Sequence, residues 1–176
     1  MRKGIFRVVV LLLAILVPAI VFCQDTVKVS ASFINTADRS GVAIVEDFQG
    51  FSVDADFKIK SFNNFRIGGV FNYQAPAVDD IKNLGIYSVG PQISYRVGPV
   101  EPFAGAYFGL TTFYGNRMTG DSRKNLFTRV YRVGVDIPFA KESKFFLRPL
   151  FVQWIGTEGF RDNVVKSIGA GAGVRF

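Results

Sequence analysis

The stretch IGAGAGVRF, Ile168–Phe176, alternates down to its last residue. Taken by twos, Ile168, Ala170, Ala172, Val174 and Phe176 fall on one side of an extended chain. Ser167, Gly169, Gly171, Gly173 and Arg175 fall on the other. A period of two with one apolar and one small or polar face marks a strand. The end of a soluble domain is ordinarily loose and polar, whereas here the final side chain is aromatic. A GAGAG run also suggests a phosphate loop, but it lacks the Lys and the strand-to-helix context such loops need. Its glycines are expected instead to face inward and leave room for a long Arg from a neighbouring strand.

The opposite end of the chain indicates which medium the apolar face meets. Arg2, Lys3 and Arg7 precede an unbroken apolar run, Val8–Val17, which Pro18 ends before the polar pair Gln24-Asp25. This is the grammar of a cleaved secretory signal peptide. The cut is expected after Cys23, giving a leader over 1–23 and a mature domain over 24–176. The bulky Phe22 argues against acylation of Cys23, and the apolar run is shorter than the ~20 residues of a spanning helix. Cys23 is the single cysteine, so the mature domain is expected to hold no disulfide even in an oxidising compartment. With the leader removed, the net charge falls from +7 to +4. That modest excess is no nucleic-acid footprint.

About 150 residues remain, enough for one domain, and eight of their segments alternate. They are Thr26–Asn35, Gly50–Lys60, Phe65–Ala75, Gly85–Val97, Pro102–Phe113, Phe127–Pro138, Lys144–Ile155 and Val164–Phe176. The second is the clearest, with Phe51, Val53, Ala55, Phe57 and Ile59 set against Ser52, Asp54, Asp56, Lys58 and Lys60. In the fifth, Ala104, Ala106, Phe108 and Leu110 are assigned outward. The seventh is apolar on both faces, and Arg148 fixes its inner one. Connections 61–64, 98–101 and 139–143 are tight. Connections 36–47, 76–84, 114–126 and 156–163 are longer and polar. Short turns at one end and long loops at the other suit an antiparallel up-and-down barrel, all-β, of the kind that crosses bacterial outer membranes.

Alternation alone does not say which face is inside. The polar faces carry few charges of both signs among many Gly and Ser, which suits a narrow lumen better than a solvated exterior. The apolar faces are large and aromatic over about five alternating positions, matching the 9–11 residues of a tilted membrane strand. Aromatics also gather at strand ends. Phe65, Tyr95, Phe145 and Phe176 fall at the short-turn end, and Phe33, Tyr73, Tyr87 and Trp154 at the other. Two such girdles are expected at lipid headgroups.

With these features the chain resembles the small eight-stranded outer-membrane β-barrel proteins, a group that includes the OmpA membrane domain, OmpX and opacity-type proteins. The resemblance covers the whole mature chain. It rests most specifically on SIGAGAGVRF, which looks like the C-terminal signal read by the barrel-assembly machinery through Phe176, Val174 and Ala172. VEPFAGAYFGL likewise looks like the group's Pro-initiated, Gly-rich strand. The resemblance implies an outer-membrane location and partnership with membrane lipid, but no particular activity.

The chain has no histidine, so its Ser and Asp residues lack an imidazole to activate them. Neither catalysis nor a cofactor or metal is expected. Asp54 and Asp56 share one face of a strand, where ion pairing inside the lumen is favoured over a metal or acid–base pair because buried charges need partners. The expected lumen network comprises Lys28, Asp54, Asp56, Lys58, Arg66, Arg96, Arg132, Asp136 and Arg148, with Glu101 as a further acid. Basic residues outnumber acidic ones there, so the interior is expected to be either filled or at most a narrow, slightly anion-preferring pore. Arg129 and Lys166 break the apolar face about nine or ten residues from the short-turn end. They are expected to meet the lipopolysaccharide phosphates of the outer headgroup layer, helped by Arg117, Arg123 and Lys124, or else simply to snorkel. The polar loops could take an external ligand, and their sequence does not say which. Three functions follow: a structural or surface-interaction barrel, a small-solute pore, and a soluble lipocalin-like carrier with the faces inverted.

Overall fold

In a computed structural model the chain forms eight strands, and the structure describes residues 27–38, 49–77, 82–116, 120–140, 143–158 and 164–176. The expected leader and its cleavage site lie outside these residues. The strands are β1 (Val27–Asp38), β2 (Gln49–Phe62), β3 (Phe65–Ala77), β4 (Lys82–Tyr95), β5 (Glu101–Asn116), β6 (Gly120–Pro138), β7 (Phe145–Thr157) and β8 (Val164–Arg175). Each pairs antiparallel with its sequence neighbour, and β1 pairs with β8, so the sheet closes as an up-and-down barrel. At the closing seam Val29 faces Val174 and Ala31 faces Ala172. Beyond the last ladder pair, the Phe176 amide donates to the Val27 carbonyl at 2.8 Å. Closure leaves no open edge along the paired lengths, which a backbone in hydrocarbon requires.

The faces sort as a membrane barrel demands. Lys28, Ser30, Ser52, Asp54, Asn72, Gln74, Ser88, Gln92, Arg132 and Arg148 are buried inside, whereas Phe33, Phe51, Phe71, Val89, Ile93, Tyr131, Val133 and Leu147 are exposed outside. A lipocalin-like carrier would have the reverse. On the outer surface Phe65 and Tyr95 pack at 4.5 Å between ring centroids at the short-turn end of β3 and β4. Tyr73 and Tyr87 pack at 4.9 Å at the other end of the same strands. The β2–β3 connection is a two-residue turn in which Asn63 takes a left-handed φ of 51°, a conformation Asn tolerates better than most residues.

Two departures from the sequence pattern have local causes. Connections expected over 76–84 and 114–126 shrink to 78–81 and 117–119, because the strands continue: Tyr114 pairs with Arg123 and Asn116 with Gly120. At 16 and 19 residues, β5 and β6 exceed the 9–11 residues needed to span hydrocarbon, so their hairpin projects past it. In β7 the register shifts between Arg148 and Phe151. Phe146 and Arg148 point inward, Pro149 and Leu150 are both exposed, and Phe151, Gln153 and Ile155 then point inward. The irregularity reverses the phase, so Arg148 fixes the inner face only for the first part of this strand.

The inward glycines of β8 do leave space, but for rings. A Cβ on Gly169 would strike the Phe151 ring, and one on Gly173 would strike the Phe146 ring. Gly171 lies against Ser32 and the backbone of Ala31.

Candidate functional site

Among the described residues the chemistry-bearing side chains gather in the lumen, where they are layered along the barrel axis. Nearest the short turns, Lys28 of β1 donates to Glu101 of β5, which also accepts from Ser94 at 2.8 Å and Arg175 at 2.8 Å. The Lys28 ammonium also lies 3.4 Å from Asp136. On the β2–β3 side, the Arg66 Nη1 sits 3.2 Å from Asp56 Oδ2, an oxygen that also accepts from Gln92 at 3.1 Å.

One layer further in, Arg148 is the central bridge. Its Nε donates to Asp136 at 2.8 Å, and its Nη1 donates to Asp54 at 2.6 Å and to Ser30 at 3.1 Å. Arg132 donates from Nη1 to both Asp54 oxygens, at 2.9 and 2.8 Å. Asp54 therefore faces two guanidiniums and accepts as well from Asn72 at 2.5 Å and Ser30 at 3.3 Å. A desolvated carboxylate is stabilised only by such complete coordination. The cations are also stacked on rings. The Arg132 guanidinium carbon lies 4.6 Å from the Phe151 centroid and 5.6 Å from that of Tyr107, and the Arg148 carbon lies 4.5 Å from Phe103. Stacking of this kind favours Arg over Lys, because the planar guanidinium is weakly hydrated and lies flat on a ring.

Above this layer the network becomes uncharged. Gln153 accepts from Arg132 Nε and Nη2 at 3.1 and 2.8 Å and donates to Gln74 at 3.0 Å and Ser167 at 2.8 Å. Gln74 continues to Asn72 at 2.9 Å. Toward the long-loop end, Ile34, Ile86, Val130 and Ile155 are buried together, with Leu84 and Val165 packed against them. The Thr111 and Thr128 hydroxyls are bonded to each other at 2.6 Å at this end, so the charged groups are confined to the short-turn side while the loop side holds apolar side chains and uncharged hydroxyls.

Of the nine residues expected in the lumen network, seven are linked: Lys28, Asp54, Asp56, Arg66, Arg132, Asp136 and Arg148. Lys58 and Arg96 stand apart and form no ion pair among the described residues. Lys58 is half-buried beside a register shift in β2, and Arg96 lies exposed just past the end of β4, its amide bonded to the Asn64 carbonyl at 2.9 Å. Both sit where the lumen opens to water at the short turns. Asp54 and Asp56 do not act as a carboxylate pair, since different arginines engage them. No group of three His, Cys, Asp or Glu side chains able to hold a metal ion converges among the described residues.

Sequence reasoning left out the uncharged connectors Gln74, Gln153 and Asn72, and it did not place Arg175 in the network. Asn72, Gln74 and Arg175 occupy inner alternation positions, which was the available signal, whereas Gln153 turns inward only through the phase reversal in β7. On the outside, Arg129 pairs with Glu158 at 3.4 Å across exposed surface and lies 5.9 Å from the Phe127 centroid. Lys166 is exposed and lies opposite Trp154 in the β7–β8 ladder. Arg129 lies opposite Gly156, two residues along β7, so the two cations flank one strand.

Together these features define the chain as a transmembrane β-barrel of eight strands with an ion-paired lumen. No protein-family model matches the chain, and no curated protein does. Solved structures do. The N-terminal barrel of Pseudomonas aeruginosa OprF superposes with a TM-score of 0.57 at 14% identity, over 87% of this chain and 98% of that one. Ail, the attachment invasion locus protein of Yersinia pestis, in complex with the heparin analogue sucrose octasulfate, gives 0.53 at 16% identity over 86% and 97%. Neisserial surface protein A gives 0.52 at 18% identity over 85% and 96%. At these identities the likeness is one of fold, that of the small eight-stranded outer-membrane barrels.

Proposed function

We propose that this chain is a non-catalytic integral protein of the bacterial outer membrane, exported by its leader, with a closed lumen and a structural or surface-interaction role. The observation that carries this reading is the filling of the lumen. Side chains of all eight strands meet in a hydrogen-bonded network, and the apolar group Ile34, Ile86, Val130 and Ile155 lies across its loop-side end. Buried apolar side chains at native packing, with the Thr111, Thr128 and Thr157 hydroxyls beside them bonded to one another, offer no continuous file of polar sites through which an ion could exchange its hydration shell. The charged part is open to water at one end only. The alternative, a narrow anion-preferring pore, requires that apolar group to move.

The test is single-channel recording in planar bilayers, using refolded protein whose unheated gel mobility demonstrates a folded barrel. Silence is the expected result. Discrete, reproducible openings with anion preference would replace this reading with the pore.

Three contacts belong to the same reading. Phe176, Val174 and Ala172 present the terminal strand to the assembly machinery and then line the β1–β8 seam. Arg129 and Lys166 hold lipopolysaccharide phosphates, a role supported by their placement on either side of one strand with Trp154 between them. Any ligand outside the cell is met by the loops and by the projecting β5–β6 hairpin.

A further inference from the structure

Strict alternation along β2 would carry Ser52, Asp54, Asp56, Lys58 and Lys60 inward in succession, and the last of them does not follow. Lys58 faces Gly68 in the β2–β3 ladder on the inner side, where a Cβ on Gly68 would strike Asp56 Oδ1. The register then shifts, and Lys60 faces Ile67, with Ser61 opposite Arg66 and Phe62 opposite Phe65. Directly opposed residues of an antiparallel pair share one face of the sheet. Arg66 pairs with Asp56 inside and Phe65 packs on Tyr95 outside, so Ile67 and Lys60 lie on the outer face. Ile59, the extra residue, is 74% exposed and also lies outside, its Cδ1 3.8 Å from where a Cβ on Gly69 would stand. A bulge re-aims the side chains that follow it. This one turns a lysine from the lumen to the lipid side.

The place to which Lys60 is turned is defined by rings. Phe62 and Phe65 stack at 5.6 Å between centroids, and Phe65 continues to Tyr95 at 4.5 Å, an aromatic ladder across β2, β3 and β4. Lys60 stands one outward position inside that ladder, about 7 Å along the strand. Rings of this kind sit at lipid headgroups. A lysine just inside them keeps its stem against apolar surface and its ammonium among the headgroups. Phe57, Ile59, Ile67 and Ile93 are its outer-face neighbours on these strands. Among the described residues none of the outer-face positions there is a carboxylate, and Lys60 forms no ion pair.

We propose that Lys60 and the Phe62–Phe65–Tyr95 ladder form a site for an anionic glycerophospholipid of the leaflet at the short turns. The ammonium meets the phosphodiester, and the rings lie against the glycerol and the upper acyl chains. The proposal rests on the outer-membrane reading above, which sets the short turns in the periplasm. A zwitterionic lipid balances its phosphate with its own ammonium or choline. Phosphatidylglycerol has no such group, so its phosphate is open to a lysine that lacks a protein partner.

The experiment is native mass spectrometry of the barrel refolded into bilayers of equal phosphatidylglycerol and phosphatidylcholine, with matched acyl chains. Retained lipid is counted after release into detergent. Unheated gel mobility first checks insertion, and a chain that does not insert would refute the membrane reading and this proposal with it. In the inserted barrel, phosphatidylglycerol is expected to be retained roughly fivefold over phosphatidylcholine, the preference a single lysine gains at a negatively charged lipid surface. Lys60→Gln should bring the ratio to parity and Lys60→Arg should keep it. Lys58→Gln removes the same charge from the lumen side and should leave the ratio unchanged. Parity in the unaltered inserted barrel, retention untouched by Lys60→Gln, or equal losses from Lys58→Gln and Lys60→Gln would overturn the proposal. The membrane reading would then stand, with Lys60 only snorkelling.

Discussion

Replacing Arg132 by Met tests whether the lumen network holds the barrel together. The side chain is almost completely buried and makes four hydrogen bonds, two to Asp54 and two to Gln153, while stacked between Tyr107 and Phe151. Met preserves much of the volume against the two rings, so the loss falls on the polar contacts. Removing one partner of a buried ion pair typically costs about 3–5 kcal/mol, because the other charge is left uncompensated. Arg148 still reaches Asp54 at 2.6 Å, which sets the expected cost of Arg132→Met at the lower end, about 3 kcal/mol. With a urea slope of about 2 kcal/mol per molar, the unfolding midpoint should fall by roughly 1.5 M. The assay is reversible urea unfolding in lipid vesicles, followed by Trp154 fluorescence and by gel mobility. Asp54→Asn supplies the second arm of a double-mutant cycle. The double variant removes one charge of each sign, so it should cost less than the two single variants together, with a coupling of about 1–3 kcal/mol. A single-variant loss below about 1 kcal/mol, or strictly additive losses, would refute the view that this pair is a structural tie.

Further outcomes follow from other contacts. Gly169→Val should destabilise the barrel by about 1–3 kcal/mol or more through overpacking against Phe151. Phe151→Leu in the same chain should recover part of that loss in urea unfolding. Val89→Arg, on the outer face between the Tyr87 and Tyr95 ends of β4, should cost about 2–4 kcal/mol, while Val97→Arg, beyond the strand end, should cost about 0–1. Equal costs in vesicle unfolding would undo the placement of the hydrocarbon band. Arg129→Ala combined with Lys166→Ala should lower lipopolysaccharide retention through detergent extraction without loss of folding, and unchanged retention would reduce both residues to snorkelling.

The fold was legible because a membrane strand repeats one decision every second residue. Gly50–Lys60 displays five such decisions in a row, and the structure keeps all the early ones, with Ser52, Asp54 and Asp56 inside and Phe51 and Val53 outside. Legibility failed where the backbone departs from the pleat or the code is silent. The register shift after Arg148 reverses the phase in a segment apolar on both faces, so nothing in its composition marks the change. The polar ends of β5 and β6, up to Asn116 and from Gly120, continue a hairpin, and polarity alone does not separate a hairpin from a loop. The site was half legible. Alternation puts charged residues inside, but pairing across the lumen joins strands far apart in sequence, such as Lys28 with Glu101 and Arg148 with Asp54. No spacing rule connects such residues.

The division of the lumen also constrains where a function can lie. Inward Ile34, Ile86, Val130 and Ile155 are ordinary core residues in any soluble protein, yet on the polar face of a membrane strand they are exceptions to the pattern. They lie at the loop-side end of the network, whereas the charged residues gather toward the short turns. A pore lining would need the opposite distribution, with charges or carbonyls spaced along the full length so that an ion finds partners throughout. Here the ionic groups bond chiefly to one another, and the two central arginines are spent on ring stacking and on Asp54 and Asp136. A barrel that uses its interior charge to tie its strands together keeps little of it for transport. On the function proposed above, its dealings with other molecules fall to its lipid-facing rim and to the long β5–β6 hairpin.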